Sequence, residues 1–169
     1  MENLGKVNDF VVLHDKIYVV TMKANIWVKW HPPDANWICL HSDGAMKNDI
    51  AGCGGVLRDQ AGTWIMGFAK HVGNATAYIA ELWGVYEGLK LARRRGFERV
   101  ELRIDSMVVV RSIQGQKVGS VAADKVADAL ATMGCSLKET RVLEEPSFDL
   151  EQLCLADVLG VSTPHVISM

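Results

Sequence analysis

The sequence predicts an α/β fold built on a mixed sheet, and three observations carry the prediction. Three apolar stretches, residues 37–44, 51–58 and 63–70, are separated only by turn-like segments, the pattern of an antiparallel meander. The periodicity then becomes helical over "NATAYIAELWGVYEGLKLARRRGF". A fourth apolar stretch, residues 99–105, follows that helix, so it should enter the sheet parallel to a neighbour.

The bounds agree with one globular domain. The chain has 169 residues, 49% of them hydrophobic and 22% charged, enough to bury a core. A formal net charge of −2 argues against nucleic-acid binding through overall charge, though not against a local basic patch. The four cysteines, Cys39, Cys53, Cys135 and Cys154, lie far apart without zinc-like spacing, and read as reduced core thiols of a cytosolic or nuclear protein. Glu2 and the broken apolar run Phe10 to Val20 argue against a signal peptide. No stretch reaches the ~18 apolar residues of a membrane span, so a soluble, cytoplasmic or nuclear protein is expected.

Residues 1–30 read as an N-terminal extension of uncertain structure, in which "DFVVLHDKIYVV" is either two short strands or an appended segment. Pro32-Pro33 cannot continue a helix or central strand, so the domain is placed at 31–169. Residues 37–44 form the first strand of the meander and "MKND" its turn. Gly52, Gly54 and Gly55 in the next strand suggest a bulge or a close backbone approach. "RDQAG" is the second turn. In the long helix, Leu82, Val85, Tyr86, Leu89 and Ala92 make the apolar stripe, Asn74 or Thr76 caps the start, and Gly96 stops it after three arginines. "SMVVVRSI" starts a second helix capped by Ser106, and "VAADKVADALATMG" forms a third, ended by Gly134. A short helix is expected after Pro146.

Three acids stand apart from the polar turns and helix faces. Asp43 lies at the end of an apolar strand, Glu81 in the first turns of the long helix, and Asp105 at the C-terminal end of the fourth strand. Acids are seldom buried unless paired or metal-bound. If the strands of Asp43 and Asp105 are adjacent and parallel, their carboxylates emerge together, and the intervening helix can bring Glu81 to the same point. Clustered carboxylates repel, and a hard divalent ion such as Mg²⁺ or Mn²⁺ relieves the repulsion. Two such ions ~3.5–4 Å apart can support phosphodiester cleavage.

The run "HSDGAMKNDIAGCGGVLRDQAGTWIMGFAKHVGNATAYIAELWGVYEGLKLARRRGFERVELRIDSMVVV", with the lead-in "VKWHPPDANW", closely resembles the ribonuclease H-like domain found in plants, which is related to the ribonuclease H region of non-LTR retrotransposons. The resemblance implies a ribonuclease H-like mixed sheet with flanking helices. It also implies catalytic, metal-binding acids at Asp43 in "SDGA", Glu81 in "AELWG" and Asp105 in "IDS". "DKVADALA" is similar to the family's last-helix motif and places the fourth acid at Asp128, with the motif's Asn position taken by Asp124 or Lys125. Asp124 and Asp128 are expected on one helix face, able to act together.

The sequence departs from the family before that last helix. The family has a helix continuation, a fifth strand and a histidine-bearing loop there; this chain has only the residues between Ser106 and Asp128, with the linker "QGQKVGS". His165 lies too far along to replace that histidine. The fifth strand is therefore expected to be missing, leaving the fourth strand's edge open to self-association. Seven linker residues span at most about 23–25 Å. The last helix either rounds the sheet edge and brings Asp128 to the metals, or stays on the first face and misses them.

The resemblance implies metal-dependent endonucleolytic hydrolysis of RNA in RNA–DNA hybrids, with two Mg²⁺ or Mn²⁺ ions and no small-molecule cofactor or membrane partner. Gly44, Ala45, Lys47 and Asn48 are candidate contacts to nucleic acid, because a hybrid is read through backbone shape and 2′-hydroxyls. Arg93, Arg94 and Arg95 could meet phosphates or be solvated helix-end charges. Two alternatives remain: a degenerate, catalytically inactive nucleic-acid-binding module from a truncated gene, and a protein-interaction module using the open edge.

Overall fold

The computed structural model describes residues 11–12, 17–20, 30–114 and 124–159. Strand β3 (Ile38–Lys47), β4 (Ile50–Arg58) and β5 (Trp64–Gly73) form the expected antiparallel meander. Between β3 and β4, Asn48 and Asp49 have φ of 51° and 60°, the left-handed pair that a tight two-residue hairpin turn requires. In the second turn, Asp59 Oδ1 accepts hydrogen bonds from the N–H groups of Ala61 and Thr63 at 2.8 and 2.9 Å. Helix α1 (Ala77–Arg94) follows. Its N-cap is Thr76, whose Oγ1 accepts from Ile79 N at 3.3 Å, and Gly96 at φ 77° turns the chain away at its end.

Strand β6 (Val100–Arg103) pairs with β3 in parallel, in the register Ile38↔Val100 to His41↔Arg103. Ser106 Oγ then accepts from Val109 N at the start of α2 (Met107–Gln114). Helices α3 (Lys125–Cys135) and α4 (Phe148–Val158) form within the stretches expected to be helical, though α3 continues through Gly134 to Cys135. The linker at 115–123 and the residues beyond 159 lie outside the described residues. Among the described residues, no helix is long and apolar enough to cross a membrane.

Three further strands complete the sheet: β1 (Val11–Val12), β2 (Ile17–Val20) and β7 (Arg141–Leu143). The spatial order is β1-β2-β6-β3-β4-β5-β7. One expectation is corrected here. The edge of β6 is not open, because β2 runs parallel to it from Ile17↔Val100 to Val20↔Arg103. The position that the resemblance gives to a later strand is thus filled from the N-terminal extension, and the case for self-association through that edge loses its basis. Of the two readings of "DFVVLHDKIYVV", two short strands, β1 and β2, form and pair antiparallel with each other.

The core divides between the two faces of the sheet, as strand alternation requires. On one face, Leu40, Leu57, Phe68 and Leu102 pack with Val85 and Ala92 of α1 and Val109 and Val110 of α2. On the other, Val56 and Ala69 pack with Val126 and Leu130 of α3 and Leu150 and Cys154 of α4. The last motif-bearing helix has therefore reached the second face. The glycines of β4 explain how closely it sits. A Cβ on Gly54 would lie 2.3 Å from the Leu130 carbonyl carbon, and one on Gly52 would lie 2.2 Å from Cys135 N. All four cysteines are buried and free.

Candidate metal centre

Parallel pairing of β3 and β6 ends at His41↔Arg103. Two residues further along each strand's path lie Asp43 and Asp105, so the register delivers both carboxylates to the same notch past the end of β6. Glu81 arrives from α1. A Cβ on Gly44 would stand 2.5 Å from Glu81 N, and one on Gly84 would stand 3.0 Å from Asp43 O. With no side chain at either position, the helix backbone lies directly on the strand at that point. Asp43, Glu81 and Asp105 each offer a carboxylate oxygen, and these oxygens all lie within 4.8 Å of one another.

This crowding is electrostatically expensive. Burial and the Asp105 charge push Asp43 up to about 7. Burial together with Asp43 and Asp105 pushes Glu81 up to about 10. The two side chains share a hydrogen bond, so without a cation Glu81 holds a proton and donates it to Asp43. Asp43 Oδ1 also accepts from Gly44 N at 2.7 Å. Glu81 Oε2 is buried with no hydrogen-bond partner. Three hard oxygen donors and one orphaned buried oxygen suit a divalent cation such as Mg²⁺ or Mn²⁺.

Asp128 sits in the first turn of α3, exposed and outside this three-acid group. Its charge nevertheless helps raise Asp43, so it lies within electrostatic reach of the cluster, on a helix packed against the other face of the sheet. Asp124 behaves otherwise, and the expectation that it acts beside Asp128 is corrected. It is the N-cap of α3, with Oδ1 accepting from Val126 N and Ala127 N at 2.8 and 3.0 Å. Its Oδ2 lies 3.2 Å from His41 Nδ1 and 3.4 Å from Arg58 Nη2. Burial opposes its charge, but His41, Arg58 and the two N–H groups together hold its carboxyl below the usual range. Burial, partly offset by Asp124, drives His41 down to about 3, so its ring is neutral. Arg58 also donates to Asp157 of α4 at 2.9 Å.

The candidate nucleic-acid contacts have mixed placements. Gly44 is pressed against α1, and Ala45 O accepts from Cys135 Sγ at 3.4 Å. Lys47 and Asn48 are exposed at the hairpin end, where Asn48 also serves the turn. Sequence reasoning missed the buried His41–Asp124–Arg58 group and its half-buried partner Asp157. It also missed the buried pair of Glu101 with Arg103, whose Nη1 donates to His31 O at 2.6 Å. The one available signal was a run of ionisable residues at core positions of strands, His41 and Arg58 on β3 and β4 and Glu101 and Arg103 on β6.

The chain is similar to known proteins in sequence and in fold. A family model described as reverse transcriptase-like matches residues 41–139, a span that contains all four acids. A curated Arabidopsis thaliana protein, provisionally named a ribonuclease H protein, is 44% identical over 85 residues, covering 49% of this chain and 14% of that protein. The matched segment is thus a small part of that relative. The N-terminal RNase H domain of a Mycobacterium tuberculosis protein, solved as a fusion with maltose-binding protein, superposes with a TM-score of 0.53 at 21% identity. That alignment covers 59% of this chain and 93% of the other, a likeness of fold.

Proposed function

The chain belongs to the reverse transcriptase-like family and has a ribonuclease H-like fold, and from that premise we propose that it hydrolyses RNA in RNA–DNA hybrids endonucleolytically, using divalent metal ions. The observation that carries the reading is the convergence of Asp43, Glu81 and Asp105 within 4.8 Å, with one buried Glu81 oxygen left unpartnered. The named ribonuclease H relative supports the choice of reaction and substrate.

In this reading Asp43 and Asp105 would hold Mg²⁺ or Mn²⁺ from the two strand ends. Glu81 would ligate the ion in its ionised form and would orient a water beside it. Asp128, on the helix against the other face, would serve a second ion. The bound ions would supply charge neutralisation at the phosphodiester and a water acidic enough to attack it. The chain's own contribution is rigid placement of the four acids, three of them on strand ends or on a helix locked to a strand by glycines. Lys47 and Asn48, at the exposed hairpin tip, would meet the hybrid's backbone beside the site, with Gly44 and Ala45 shaping the adjoining strand.

The test is cleavage of a labelled hybrid with Mg²⁺ by the intact chain, by Asp43→Asn and by Asp128→Asn. Cleavage should be lost in Asp43→Asn and reduced at least about tenfold in Asp128→Asn. Equal cleavage by the intact chain and Asp43→Asn would remove the catalytic assignment. Hybrid binding without turnover would leave a non-catalytic binding module.

A further inference from the structure

Away from the acids, a groove of about 290 Å³ runs between the C-terminal half of α1 and the β5–β7 edge. Phe68 and Val142 give it apolar walls, and Lys70, Lys90 and Arg94 surround it with cations. Its one carboxylate, Glu87, lies 3.4 Å from Lys70 Nζ and 3.1 Å from Lys90 Nζ. Glu87 can neutralise only one of the two lysines it holds, and Arg94 has no carboxylate partner among the described residues. The groove therefore carries a positive excess on a chain whose formal net charge is −2. Exposed aromatic rings stand beside these cations. Lys70 Nζ is 4.9 Å from the Trp83 ring centre, and Lys90 Nζ is 5.4 Å from that of Tyr86. The two rings pack edge to face at 5.6 Å.

We propose that this groove, with Trp83 and Tyr86 at its rim, is a second nucleic-acid contact that holds the phosphodiester backbone of a strand passing the acid cluster. Cations that track a backbone, interleaved with aromatic faces on which bases stack, are the recognition chemistry of nucleic-acid strands. An apolar ligand would leave the two positive charges in excess of Glu87 unanswered. The same helix carries both sites. Arg94 lies thirteen residues after Glu81 on α1, about 20 Å at 1.5 Å per residue. At 3.4 Å per nucleotide that separates the two contacts by about six nucleotides, so one bound strand can engage both. Glu87 keeps the lysine ammonium groups at the groove until phosphates compete for them.

This inference rests on the nucleic-acid reading of the acid cluster, and the experiment separates the two. Binding of a labelled hybrid and of oligo-dT is measured by fluorescence anisotropy across a salt series. The proteins compared are the intact chain, Lys90→Gln/Arg94→Gln and Asp43→Asn, with thermal melts to check folding and cleavage kinetics run alongside. The double variant should bind at least about tenfold more weakly at low salt and lose about two units of salt slope, with KM raised more than kcat is lowered. Asp43→Asn should keep the salt slope. Unchanged affinity and slope in a folded double variant would overturn the groove while leaving the cleavage reading intact. Salt-dependent binding through the groove without cleavage would do the reverse. Displacement of the oligonucleotide by poly-glutamate as readily as by unlabelled oligonucleotide would assign the groove to acidic protein segments and overturn the proposal.

Discussion

His41 Nδ1 lies 3.2 Å from Asp124 Oδ2, and this contact joins the two elements that the candidate site must hold together. His41 precedes Asp43 by two residues on β3, and Asp124 precedes Asp128 by one helical turn, with Asp128 N donating to Asp124 O at 3.0 Å. Arg58 adds a full charge to the same carboxylate from β4. The sheet and α3 are thus pinned one step away from their acids.

Removing that carboxylate should therefore cost more than a lost helix cap. A cap alone is worth ~1 kcal/mol. Asp124→Ala also leaves Arg58 buried with only Asp157 to answer it, so the expected loss is about 3 kcal/mol. Asp124→Asn keeps an acceptor for the helix N–H groups and should lose less. Urea denaturation of both variants checks this; a loss near 1 kcal/mol for Asp124→Ala would show that the ion pair adds nothing.

The acid cluster sets a pH dependence of definite sign. Glu81 ionises at about 10 in the folded, metal-free chain, against an ordinary 4.5. Between pH 7 and 8 the folded state therefore holds a proton that the unfolded state has released, and stability must fall as pH rises. One retained proton corresponds to about 1.4 kcal/mol per pH unit. Asp43, pushed up to about 7, adds to the fall near pH 7, while His41, neutral when folded and ordinarily at 6.5, opposes it slightly there. The thiols add little because they ionise only near 9.0 even when exposed. Denaturation in EDTA should show the fall, Glu81→Gln should flatten it, and Mg²⁺ should reduce it in the intact chain. A slope unchanged by Glu81→Gln would refute the assignment of the proton.

Two glycine variants separate packing from backbone conformation. Gly54→Ala drives a methyl to 2.3 Å from the Leu130 carbonyl carbon, and because backbone cannot yield cheaply, about 3 kcal/mol should be lost. Gly96→Ala meets nothing within 4 Å but must adopt φ 77°, at a cost of about 1 kcal/mol. Thermal melts of the two should rank in that order. The reverse order would mean that α3 does not sit on β4 as described.

Much of the architecture was legible because it rests on local pattern. Alternation and turns marked the meander, the shift to helical spacing marked α1, and the glycines of β4 signalled the close approach that α3 makes. The acid trio was legible because two strand ends and one helix face fix it. What failed depended on partners distant in sequence or on geometry at an element's end. An apolar run such as Ile17–Val20 does not reveal which edge it will join, and Arg141–Leu143 is too short to show a period. Asp124 stands four residues before Asp128, which suggested a shared helix face. At the N-cap its φ of −137° and ψ of 121° are not helical, so that spacing does not apply and its side chain turns back onto its own helix and the sheet.

The parallel pairing of β3 with β6 also bears on the order of folding. The meander and α1 can organise from near neighbours, but β3 meets β6 across about sixty residues, and β2 meets it across about eighty, contacts whose loop entropy makes them slow to form. Asp43 and Asp105 therefore come together only after that closure, and Asp128 arrives on the other face only once α3 has docked. A nascent chain released as far as α1 carries Asp43 and Glu81 without the remaining acids. The proposed ion binding at the acid trio should accordingly appear late in synthesis, in step with the last long-range contacts and after the first secondary structure.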